Sequence, residues 1–121
     1  MKEQNREIQR EELRALLESW RAGTLDEREV HAHAETLLET AGEIPQYPDS
    51  DPRSIAAEVL LQLDILNHQL ITTEDLPAIE AFLKTPPGQE LMGWAEWRSY
   101  WKQLDLESRR QKLVSNPYYC T

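Results

Sequence analysis

An irregular antiparallel helical bundle of five to six helices is what this 121-residue sequence predicts, with an all-α core. Apolar residues return at three- and four-residue spacing along most of the chain, and no segment alternates as a half-buried strand must. Glycines, prolines and capping residues then cut the chain into pieces of ordinary helix length. The length suits one domain spanning 1–121, with fraying expected at 1–5 and in a tail at 115–121.

The first helix is expected from about Arg6 to Arg21, with Ile8, Leu13, Leu16, Leu17 and Trp20 on one side and Gly23 closing it. Capping-box spacing at Thr24 to Glu27 opens a second helix that buries Val30, Ala34, Leu37, Leu38 and Ala41 and ends at Gly42. The connection EIPQYPDSDP, 43–52, holds three prolines and leads through Asp51 and Pro52 into the next helix. There Ile55, Val59, Leu60, Leu63, Leu66 and Leu70 make a strong apolar stripe. A short helix starts near Thr73 with Pro77 in its first turn, and buries Leu76, Ile79 and Leu83 before TPPG stops it. The segment from Gln89 to Leu104 is the fifth helix, and DLES at 105–108 opens a last short one.

Within the fifth helix, three tryptophans and a tyrosine fall in eight positions of a chain with nine aromatic residues. Trp94, Trp97, Trp101 and Leu104 share an arc of roughly 80°, and Leu91 widens it to roughly 140°. This is the pattern of a core wedge, with Trp94 and Trp101 expected beside Leu60, Leu63 and Leu66. Trp97 and Tyr100 are placed towards the edge of the arc, where a ring can serve as a binding anchor.

Charge is distributed unevenly. The net formal charge is −9, and residues 26–80 carry thirteen acids against Arg28 and Arg53 alone. Such a field repels nucleic-acid phosphate and anionic membrane surfaces and speeds encounter with a basic protein. No window approaches a membrane span, and the N-terminus has no apolar leader segment. Cys120 is the one cysteine, which excludes an intramolecular disulfide and fits a cytoplasmic location.

Catalytic signatures are missing from the sequence: there is no serine elbow, catalytic-cysteine motif or glycine-rich phosphate loop. His31 and His33 stand two apart, so they point about 200° apart on a helix and cannot share an ion. The stripe Glu27, His31, Glu35 and Glu39 could hold a cation through two carboxylates and an imidazole but is read as an exposed helix face, since tight zinc spacings are absent, and His68 is read as a residue drawn to a helix C-terminus. Neither a cofactor nor a metal site is expected, and the chain is expected not to be an enzyme.

A non-catalytic protein-binding module fits these features best, with Glu27, Glu35, Glu39, Tyr47, Asp49 and Asp51 as the partner-binding residues. The alternative is a structural or regulatory adaptor that pairs through an apolar helix face. In its small size, acidity, helical layout and the stretch QYPDSDP at 46–52, the chain resembles the colicin-like bacterial immunity proteins. The paired-tyrosine motif of those proteins has no counterpart there; the sequence PYY stands instead at 117–119. The resemblance implies a cytosolic protein that neutralises a basic toxin domain by covering its surface.

Overall fold

Residues 8–119 are described by the computed structural model. Among them are six α-helices and no strand: α1 (Arg10–Arg21), α2 (Glu27–Ala41), α3 (Arg53–Asp64), α4 (Leu76–Leu83), α5 (Glu90–Gln103) and α6 (Leu106–Lys112), with a 3-10 turn at Thr73–Asp75. The bundle class is therefore as the apolar spacing predicts. The expected frayed segment 1–5, the proposed start at Arg6 and the cysteine at 120 lie outside the described residues.

The ends of the helices follow local chemistry. Gly23, at φ 83°, closes α1: its N–H and that of Thr24 donate to the Trp20 and Ser19 carbonyls. Thr24 is thereby used in the stop, and the cap of α2 moves two residues on from the expected position. Asp26 accepts from the Glu29 amide at 2.9 Å while the Glu29 carboxylate accepts from the Asp26 amide at 2.9 Å. Pro52 precedes the first turn of α3, and the Asp51 side chain accepts from the Arg53 amide at 2.9 Å.

α3 ends at Asp64, earlier than the stripe to Leu70 suggests. The Ile65 and Leu66 amides bond three residues back, which tightens the chain, and Leu70 takes φ 56°. Leu66 and Leu70 are still buried, so the apolar pattern persists after the helix has stopped. His68 lies exposed in these turns rather than at a helix terminus.

The broadest helix pairing joins α2 to α3; α4 carries α5, and α1 lies against α2, α3 and α4. Leu13, Leu17, Val30, Ile55, Leu60, Leu63 and Ile79 fill the space between them. At about 25 cal/mol per Å2 of apolar surface, each leucine or isoleucine so buried contributes roughly 1.5–3 kcal/mol before entropy is counted.

α5 sits rotated by roughly 50° from the orientation its apolar arc implies. Glu90, Gly93 and Trp97 are its buried residues, Trp94 and Trp101 are half-buried, and Leu91 is 63% exposed. The expected order of the tryptophans is thus reversed: Trp97 is the wedge, and Trp94 and Trp101 flank it. Gly93 supplies the reason. A Cβ there would overlap the Thr85 side chain, so the bare glycine lets α5 close onto the end of α4 along its small-residue side. Trp97 then stacks on Phe82 with ring centroids 4.3 Å apart and planes at 13°.

The C-terminal stretch is also ordered differently from expectation. Instead of fraying, Tyr118 and Tyr119 are buried, and the Tyr119 hydroxyl donates to the Ile71 carbonyl at 2.5 Å. Two tyrosines bring enough apolar area to hold a short segment, provided that each hydroxyl finds a partner.

Candidate functional site

The six residues picked from the sequence fall into two groups. Glu27, Glu35 and Glu39 lie along α2, while Tyr47, Asp49 and Asp51 belong to the connection before α3. Asp64, which reaches Glu35, is at the far end of α3 from Asp51, and that helix is roughly 18 Å long. The structure therefore does not gather Glu35 and the two aspartates at one point; they mark opposite ends of the α2–α3 pair.

Their electrostatic states differ as well. Asp51 accepts from the Arg53 side chain at 2.7 and 3.0 Å; this guanidinium bond and the Arg53 amide hold its carboxyl down at about 2. Asp49 is ion-paired with Arg98, and Arg53 covers the Tyr47 ring at 4.6 Å. The two aspartates of the connection are thus neutralised by arginines of α3 and α5, with the Tyr47 ring beneath one of them. Glu27 is half-buried and accepts from the Asn116 side chain at 3.3 Å. Glu35 and Glu39 are exposed, and neither pairs with a lysine or arginine among the described residues.

The same selective pairing extends through the molecule. Arg21 meets Glu80, and Arg109 reaches the fully buried Asp75 at 2.7 Å. Of the thirteen acids in the middle of the sequence, Asp49, Asp51, Asp75 and Glu80 are therefore each balanced by an arginine, and Glu74 lies 3.7 Å from Arg109. The negative field that remains is concentrated on α2 and the adjoining end of α3.

Two grooves flank α3. One, of about 560 Å3, runs beneath the proline-rich connection, with Tyr47, Asp49, Ser54, Leu61 and Trp94 in its wall. The other, of about 440 Å3, lies between α3 and α5 and is walled by Gln62, Trp94, Trp97, Trp101 and Leu106. Glu58 stands between them, accepting from Trp97 Nε1 at 3.0 Å and from Gln62 at 3.2 Å. Trp94 Nε1 donates to Ser54 at 2.8 Å, and Arg98 lies over the Trp94 ring at 4.8 Å. Leu61 in the first wall and Leu106 in the second are exposed. The spacing of Glu58, Leu61, Gln62, Ile65 and Gln69 already marks an outward stripe of α3 and the turns after it, but its partial apolarity is hidden by the much stronger core stripe.

A second constellation is only half legible in the sequence, where His31 and Glu35 share a stripe but Asp64 and Tyr118 stand far from it. His31 Nδ1 is 2.5 Å from the Tyr118 hydroxyl, and His31 Nε2 is 3.7 Å from Glu35, which stands beside Asp64. Residues 31, 64 and 118 share no local pattern, so only packing of three segments unites them.

The chain matches no protein-family model, no curated protein and no solved structure. No helix among the described residues is long and apolar enough to cross a membrane.

Proposed function

We propose that the protein is a non-catalytic, cytosolic binding module that docks a basic protein partner through the outer face of α2. One observation carries the reading: arginines neutralise Asp49, Asp51, Asp75 and Glu80, whereas Glu35 and Glu39 stay exposed without such a partner. Fixed carboxylates on a rigid helix steer a cationic surface towards them, and rings at the margin supply short-range affinity. Tyr47, half-buried beneath Arg53 and lining the groove with Trp94, is such a ring. The resemblance to immunity proteins gives the partner a chemical class, a basic toxin domain.

Association and dissociation rates with basic products of neighbouring genes, measured at two ionic strengths, test this. Glu35→Lys with Glu39→Lys should slow association about tenfold or more at low salt, with a smaller effect at high salt and unchanged helical content. Tyr47→Ala should mainly raise the dissociation rate. Association that ignores both the charge reversal and the salt would leave the acidic face a solubilising surface.

The exposed Leu106 in the wall of the tryptophan groove, with the exposed Leu61 in the wall of the groove on the other side of Glu58, favours a second reading, an adaptor that receives an apolar helix. Binding of that kind would resist salt and be lost with Leu61→Glu.

A further inference from the structure

Beyond partner docking, we propose that His31, Glu35 and Asp64 form a binding site for a divalent transition-metal ion of the zinc class, with Tyr118 positioning the imidazole. Their ligand atoms all lie within 4.8 Å of one another, and they are the one such group among the described residues. His31 and Glu35 are one helical turn apart on α2, and Asp64 comes from the last residue of α3. A ligand pair on one helix and a third donor from its neighbour is a set that zinc accepts, leaving a fourth position for water.

Three features separate this group from an ordinary acidic surface. First, neither Glu35 nor Asp64 meets an arginine or lysine among the described residues, so a bound cation would relieve their repulsion. Secondly, the imidazole is held from behind. Tyr118 lies 2.5 Å from Nδ1, its own ring fixed edge-on by Tyr119 and covered by Arg28 at 5.2 Å. When Nδ1 carries the proton and donates it to the Tyr118 oxygen, the Nε2 lone pair is presented to the ion; such a partner fixes tautomer and ring direction at metal-bound histidines. Thirdly, Nε2 already faces Glu35 at 3.7 Å, and tetrahedral coordination needs ligand atoms roughly 3.3 Å apart. Glu35 is exposed and Asp64 half-exposed, so rotation of these side chains can close the set without moving a helix.

An imidazole with two carboxylates favours zinc, cobalt or nickel over magnesium, which prefers oxygen ligands and its own water shell. The sequence expectation of no metal rested on α2 alone; Asp64 and Tyr118 arrive from elsewhere in the fold.

The test is calorimetric titration of the metal-stripped full chain with zinc, together with thermal unfolding with and without zinc. Wild type should bind one zinc and melt at a higher temperature in its presence. Asp64→Asn should lose both responses with an unchanged metal-free melting point, while His33→Gln, on the opposite side of α2, should keep both. Tyr118→Phe should weaken zinc about tenfold, and cobalt bound to wild type should give the absorption of a tetrahedral site with nitrogen and oxygen donors. No saturable one-to-one binding, or an Asp64→Asn protein that binds like wild type, would overturn the assignment. Asp64 is not among the residues proposed to contact the protein partner, so loss of zinc and loss of docking can be told apart.

Discussion

The guanidinium of Arg109 donates to the carboxylate of Asp75 at 2.7 Å, joining α6 to the turn before α4 in a place where Asp75 has no exposed surface. Asp75 also accepts from the Tyr100 hydroxyl at 2.5 Å and the Thr72 amide at 2.9 Å, and Arg109 donates a second bond to the Leu70 carbonyl at 3.1 Å. A buried charge is tolerated here because its acceptor sites are occupied and its counter-ion is held in turn.

Breaking that pair from one side should be severe. Arg109→Met leaves Asp75 buried without its cation and should cost about 3–5 kcal/mol. A double variant, Arg109→Met with Asp75→Asn, should recover part of the loss, since no isolated charge remains. Urea unfolding of the two single variants and the double variant measures the coupling. Additive effects would mean that the two side chains do not stabilise one another.

The tryptophans of α5 should rank by burial. Trp97→Ala removes a buried ring stacked on Phe82 and bonded to Glu58, and should cost about 3–5 kcal/mol. Trp101 is only partly buried, so Trp101→Ala should cost less. Its Nε1 is buried without an acceptor among the described residues, and Trp101→Phe should therefore be close to neutral, whereas Trp97→Phe loses a bond. Thermal unfolding that ranks Trp101→Ala above Trp97→Ala would show that α5 is not rotated as described.

Alkaline conditions should unfold the protein through its tyrosines. Burial, reinforced by the Asp75 carboxylate, pushes the Tyr100 phenol up to about 12; burial and the nearby Glu27 push Tyr118 up to about 12. Below the unfolded value of 10.0 both states keep these protons, and stability gains nothing from changing pH. Above it the unfolded chain has released protons that the folded chain still holds, so stability falls as pH rises from 10.0 to about 12. Tyrosinate absorbance followed beside circular dichroism checks this. Tyr100→Phe with Tyr118→Phe should weaken the dependence in that interval without abolishing it, because burial also raises the Tyr119 phenol.

The helices and their inner faces are legible in the residues themselves. Leu13, Leu17, Ile55, Leu60 and Leu63 recur at helical spacing, and Gly23 and Asp26 stop and start the chain by bonds confined to a few neighbours. Such local preferences are additive along the sequence, and one dimension suffices to read them. The rotation of α5 was not readable in this way, because it depends on Gly93 meeting Thr85, a contact between two elements. Nor could segment charges reveal which acids remain unpaired: Arg98 finds Asp49 and Arg109 finds Asp75 across 49 and 34 positions of chain. The meeting of His31, Asp64 and Tyr118 has the same origin. Local periodicity determines where helices form and, for α1 and α3, which face turns inward, but only the packing of helices against one another decides the rotation of α5 and which distant side chains come within bonding distance, since that depends on crossing, rotation and close approach together.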